Sequence, residues 1–170
     1  SALDPQTARE ILHLLNDLNR TFGLSIVIIT HQLDAIKQIC HRVAVLANGE
    51  IVEEGTVKDI FTHPRHAVTR RLLYGDEEAG AMTILPDAMK KGKKRRLVRL
   101  GFEGLQAEQP ILSHMIKRYD VEANILSGGL DTVQETIVGH LFVELSGLPD
   151  EMERALAFLQ SEHILCEVLE

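Results

Sequence analysis

Apolar positions near the start of the chain recur with the period of a helix. Asp4 and Pro5 suit an N-cap and a first helical position, and Ala8, Ile11, Leu12, Leu15, Leu18 and Phe22 follow at helical spacing until Gly23. This predicts a helix with one buried face. The period then changes: Leu24 to Thr30 (LSIVIIT) is a continuous apolar run rich in β-branched residues, which predicts an interior strand of a parallel sheet. Ala35, Ile36, Ile39 and Cys40 suggest a short helix. Arg42 to Ala47 and Glu50 to Glu54 read as two strands joined by Asn48-Gly49, a pair that tolerates the positive φ of a tight hairpin turn. Val57 to Phe61 and Pro64 to Tyr74 read as helices, with Gly75 as the stop.

Residues 76–96 show no buried-face pattern and read as a linker ending in a basic block, Lys90, Lys91, Lys93, Lys94, Arg95, Arg96 and Arg99. Beyond it Leu97 to Phe102 predicts a strand, Leu112, Met115, Ile116 and Tyr119 a helix face, and Val121 to about Leu130 a second strand. Thr136 to Ser146 predicts a third strand. A helix opened by Pro149 turns Met152, Ala155, Leu156 and Leu159 inward, and Ile164 to Leu169 closes the chain as a strand. The order βαββαβ, with two helical faces of identical spacing, predicts a ferredoxin-like α+β domain over 97–170. The division is therefore a truncated α/β domain over 1–75, a linker over 76–96 and this second domain. So small a unit gains from pairing with a second copy.

Composition narrows the function. With 45% hydrophobic residues in 170, no apolar run approaches the roughly 18 residues of a spanning helix. The net charge of -7 argues against nucleic acid as a partner, and 97–170 alone holds four basic against thirteen acidic residues. Cys40 and Cys166 have no CxxC spacing, which favours a reducing, cytosolic setting and no zinc site. His63 with His66 is too sparse for a metal, and His114, His140 and His163 are dispersed. Ser1-Ala2-Leu3-Asp4-Pro5 reads as the interior of a domain, with no signal-peptide pattern.

The succession SALDP, LSIVIITH, RVAVLANGEIVEEG and FTHPRHAVTRRLL over about 75 residues resembles the last third of an ATP-binding cassette (ABC) ATPase, a P-loop NTPase fold. The resemblance implies that Ser1, Ala2, Leu3 and Asp4 belong to the aspartate loop beside the nucleotide. It also implies that His31 is the switch histidine that reaches the terminal phosphate and helps position the attacking water. No GxxxxGK[ST] phosphate loop occurs in the 170 residues, and the family's magnesium-binding aspartate and catalytic glutamate precede the position of Ser1. ATP and magnesium are accordingly expected in a longer parent, and this chain alone is expected to bind no cofactor and to be inactive as an ATPase. Leu126 to Leu130 (LSGGL) is close to the LSGGQ signature of that family but stands after the aspartate loop between strand-like runs, where a Gly-Gly bend or bulge is the plainer reading.

The second half is similar to the ACT-related NIL domain at the carboxyl end of methionine-importer ATPases, through LVRLGFEG, RYDVEANILSGGLD, LFVELSG and ALAFLQSEHILCEVLE. That resemblance implies a peripheral subunit on the cytoplasmic face of the membrane, joined to transmembrane permease subunits, in which methionine bound between two copies restrains transport. It implies a methionine site at Asn124, Ile125, Leu126, Ser127 and Gly128. A carboxamide there could hold the amino acid's polar groups while Met115 or Ile125 meets the thioether. Gly128 and Gly129 depart from the bulkier residues common in the family. Two alternatives stand beside this reading: a ligand-free dimerisation or docking module, and a sensor of another apolar amino acid.

Overall fold

A computed structural model describes residues 5–89, 94–133 and 136–169. The described residues form a mixed α/β structure with two antiparallel sheets. Helix α1 (Pro5–Phe22) is followed by coil, then by α2 (Leu33–Ile39), and strands β1 (Arg42–Ala47) and β2 (Glu50–Thr56) form a hairpin. Its turn is the predicted one, with φ of 51° at Asn48 and 83° at Gly49. Helix α3 (Val57–Thr62) starts where the Thr56 hydroxyl accepts the Asp59 N–H at 3.1 Å.

Three expectations for this half are corrected. Residues 24–30 form no strand: an interior parallel strand needs a hydrogen-bonded neighbour, and among the described residues this segment has none. Val27 and Ile29 are 89% and 93% exposed. The apolar face of α1 is only half-buried, and Phe22 at its end is exposed. Finally, α4 (Ala67–Met89) begins after Pro64 and runs through Gly75, so residues 76–89 are helix rather than an unstructured linker. Tyr74 and Ala81 pack with Leu97 and Phe142, and that burial offsets the roughly 1 kcal/mol that an interior glycine costs a helix.

The second half contains β3 (Arg95–Glu103), a 3₁₀ turn (Gly104–Glu108), α5 (Ile111–Arg118), β4 (Val121–Val133), β5 (Thr136–Gly147), α6 (Pro149–Ser161) and β6 (Leu165–Val168). The strand order is β4-β5-β3-β6, all antiparallel. One face of the sheet, through Val98, Leu100, Val143 and Leu145, packs with Met115 of α5 and with Met152, Ala155 and Leu159 of α6. On α5 Ile111 and Met115 are buried and Leu112 and Tyr119 pack against the same core, whereas Ile116 is exposed, so three of the four predicted face residues turn inward and the identity with the α6 face is incomplete. The other face carries Leu97, Arg99 and Phe142 beneath α4. The end of the basic block is likewise reassigned: Arg95 and Arg96 join the strand predicted to hold Arg99, the three pairing with Glu144, Glu153 and Glu167, while residues 90–93 lie outside the described residues.

Candidate functional site

Among the described residues strand β4 is the outer strand of the sheet, hydrogen-bonded to β5 on one side only. Its register with β5 shifts between Ile125 and Ser127, so the bulge lies just before the Gly-Gly pair rather than at it, and Gly128 and Gly129 stay in register with Leu141 and His140. Beyond the bulge Gly128 pairs with Leu141 and Leu130 with Gly139. These small residues leave an open groove of ≈ 400 Å³ between β4, the end of β3, the 3₁₀ turn and the start of α5.

The groove has an apolar body made by Phe102, Pro110, Leu112, Leu130 and Leu141, with Gln109 and Ser113 at its wall. Gln106, also in the wall, turns its amide oxygen to the Glu103 N–H at 3.3 Å. Such a site suits a small ligand with an apolar side chain and a polar end. Gly128 is required by close approach: a Cβ there would lie 2.5 Å from the His140 carbonyl oxygen and 2.5 Å from Leu141 Cδ2.

The candidates named from sequence are not all brought together. Asn124 is exposed on β4 opposite Glu144, whose carboxylate is bound by Arg95. Leu126 packs on the Leu97–Phe142 cluster, on the α4 side. Ile125, opposite Val143, is 56% exposed. Ser127 is half-buried and its Oγ has no partner among the described residues. Met115 is fully buried among the residues packed between the sheet and α5–α6, so its thioether serves packing. Of the six, only Gly128 lines the groove. Sequence reasoning missed the groove's other walls, because Phe102, Gln106, Pro110 and Leu112 converge only through the turn between β3 and α5.

His31 is exposed in the coil before α2, where the Gln32 N–H donates to the Thr30 hydroxyl at 3.0 Å. Ser1, Ala2, Leu3 and Asp4 lie outside the described residues. Among the described residues there is no cluster of histidine, cysteine and carboxylate groups suited to a metal. Two larger cavities lie elsewhere. One of ≈ 790 Å³ between β2, α3 and β6 brings Arg65 and Arg99 among Glu53, Glu54, Asp59 and Glu167, and one of ≈ 740 Å³ follows the coil at 23–30. No described helix is long and apolar enough to cross a membrane.

Sequence comparison adds the following. The family model for the NIL domain matches residues 96–168. The methionine import ATP-binding protein MetN of Protochlamydia amoebophila is 57% identical over 169 residues, covering 99% of this chain and 49% of that protein. The methionine import ATP-binding protein MetN 1 of Burkholderia orbicola is 47% identical over 176 residues, covering 99% of this chain and 50% of its own length. The chain thus spans about half the length of the curated relatives it matches. A solved C-terminal domain of an ABC transporter ATP-binding protein from Enterococcus faecalis is 31% identical, covers 52% of this chain and 94% of its own, and superposes with a TM-score of 0.42.

Proposed function

The chain belongs to the family of methionine-import ATP-binding proteins that carry a NIL domain, and from that membership we propose that it is the regulatory part of an ABC-type ATPase subunit, with a methionine-sensing module over 97–170. Residues 1–75 then belong to the ATPase domain, and α4 is a helical connector between the two units. We read 97–170 as ferredoxin-like, a reading supported by the strand order β4-β5-β3-β6 within a βαββαβ succession.

The observation that carries the sensing proposal is the state of β4. It is a 13-residue strand with one edge unpaired among the described residues; it exposes Asn124 and Ile125, and its Leu130 lines a groove of ≈ 400 Å³. An edge of this kind is a template for a second strand. A second copy docking there would bring two grooves and two Asn124 carboxamides to one joint. Methionine fits the chemistry: its thioether takes the apolar walls and its ammonium and carboxylate take the polar rim. Bound methionine would favour an arrangement with the ATPase halves held apart, which restrains import through the permease subunits at the cytoplasmic face of the membrane.

The residues present do not fit ATP and magnesium by themselves, because no GxxxxGK[ST] loop occurs in the chain to cradle phosphates. His31 and the aspartate loop are proposed to contribute to that site in the intact subunit, and no hydrolysis is expected from this chain alone.

Calorimetric titration of L-methionine into the 170-residue chain and its Asn124→Ala variant tests the proposal, with light scattering to follow dimerisation. Saturable heat that is lost in the variant supports a sensor with Asn124 in its site. A dimer that takes up no methionine at millimolar concentration would favour a docking module. Equal or tighter binding of leucine would move the ligand to another apolar amino acid.

A further inference from the structure

The far end of the β4–β5 hairpin does not stop at the edge of its own sheet but reaches the first half of the chain. Val133 and Val138, 1% and 5% exposed, pack with Val57 and Phe61 of α3, and Leu33 and Ile36 of α2 close over the same cluster. At the edge of this cluster Lys37 Nζ of α2 donates to Asp131 Oδ2 of β4 at 2.6 Å. The Lys37 side chain is only 12% exposed, and its ammonium lies 5.4 Å from the centre of the Phe61 ring. Asp34 is the other carboxylate near it, at 3.8 Å and 88% exposed.

The placement along the chain gives these contacts their meaning. Asp131 stands one residue beyond the Gly128–Leu130 wall of the groove, on the same strand. Helix α2 begins two residues after His31. Because β4 is held by β5 along one edge only and carries a bulge at 125–127, a ligand or partner strand on its outer edge can shift it. A shift at 128–131 is passed to α2 through a short ion pair and a packed apolar cluster, and a close-packed cluster moves as a unit rather than yielding locally.

We propose that the β4–β5 hairpin is a coupling element, with Lys37–Asp131 and the Val133–Val138–Phe61 cluster joining the strand that bears the ligand to the helix that follows His31. This rests on the methionine-sensing reading above. It assigns Lys37 and Asp131 the role of positioning residues for the segment at His31, without contact to either ligand. Coupling is reciprocal: whatever engages His31 changes methionine affinity by the same factor as methionine changes its binding.

Hydrogen exchange of the 170-residue chain with and without L-methionine reads both ends at once, in peptides covering 124–130 and 31–39. Saturating methionine is expected to slow exchange in both, with one concentration dependence, and at 31–39 by about 5-fold or more, the lower end of typical coupling factors. In Asp131→Ala the response at 124–130 remains and that at 31–39 is lost, whereas Asp131→Glu restores it. Lys37→Met removes the same bond while keeping an aliphatic stem over Phe61, and gives the loss again. Protection at 124–130 with 31–39 unchanged in the wild type would overturn the coupling and leave the sensing reading intact. Absence of heat and of protection anywhere would overturn the sensing reading, and this inference with it.

Discussion

Arg99 holds Glu167 Oε2 with its Nε at 3.0 Å and its Nη2 at 2.8 Å, so the one buried cation among the described residues is neutralised from the last strand of the chain. Arg70 of α4 takes the other oxygen of Glu167 at 2.5 Å, and the Arg99 guanidinium lies 5.0 Å from the centre of the Tyr74 ring. One carboxylate therefore ties α4, β3 and β6 together. Replacing Glu167 with alanine strands a cation that is 2% exposed. Breaking a buried pair costs about 3–5 kcal/mol, and the lower end applies because Glu167 itself is 26% exposed. A fall in melting temperature of about 6–12 °C follows, at 2–4 °C per kcal/mol for a chain of this size. Arg99→Met removes the buried charge while Arg70 still serves Glu167, and should cost less than half as much. Equal losses in thermal melts of the two variants would contradict this account.

Gly128 and Gly129 are neighbours with opposite tolerances. A Cβ on Gly128 would stand 2.5 Å from the His140 carbonyl oxygen and 3.0 Å from Leu141 Cα, both backbone atoms that cannot move aside. A Cβ on Gly129 would meet only His140 Cε1 at 3.7 Å, an ordinary contact. Gly128→Ala is therefore expected to cost about 1–3 kcal/mol, the usual range for overpacking, and to weaken any ligand of the groove by parting β4 from β5. Gly129→Ala should melt with the wild type. The comparison is direct by circular dichroism, and a larger loss at Gly129 would show that the register of β4 is not the one described.

Local rules made part of this fold legible and left part of it hidden. The Asn48-Gly49 hairpin and the Met152–Ala155–Leu156–Leu159 face of α6 could be read from the residues because turn chemistry and helical periodicity act over a few positions. Leu24 to Thr30 misled because its apolar pattern states a need for neighbours without supplying them. Gly75 misled in the opposite sense, as tertiary burial of Tyr74 and Ala81 carried the helix past a local stop. Asn124 could be named from its segment, but its face of the sheet was unreadable, since the bulge between Ile125 and Ser127 changes which residues share a side. Arg99 fell inside the predicted strand Leu97 to Phe102, but its burial and its partner were unreadable, because Glu167 reaches it only through the pairing of β3 with β6.

The two thiols should be inert in the folded chain. Burial pushes Cys166 up to about 12 and raises Cys40 as well. Only the thiolate attacks electrophiles, so at pH 8 about one Cys166 in ten thousand is reactive at any moment. Iodoacetamide at that pH is expected to leave Cys166 unmodified in the native chain and to label it fully in denaturant, read by mass spectrometry. Stoichiometric labelling of the native chain within minutes would mean that β6, a short outer strand, opens far more readily than its pairing with β3 implies.

Glu53 anchors the approach to α4 and makes it sensitive to acid. Its Oε1 accepts the Arg65 N–H at 2.8 Å and its Oε2 the His66 N–H at 3.0 Å, the last donors before the helix begins at Ala67. Burial alone would push the carboxyl up, but the hydrogen bonds to its ionised form outweigh that and hold it below its ordinary 4.5. A group whose folded value lies below its unfolded one stabilises the fold above the unfolded value, and loses that contribution as pH falls through the folded value. Wild type should therefore melt above Glu53→Gln at pH 7, and the gap between them should narrow as pH is lowered from about 5 toward 3. The comparison cancels the many other carboxylates, which titrate in both proteins. A gap that stays constant across this range would show that Glu53 contributes through shape and neutral hydrogen bonding, and that its charge adds nothing to the start of α4.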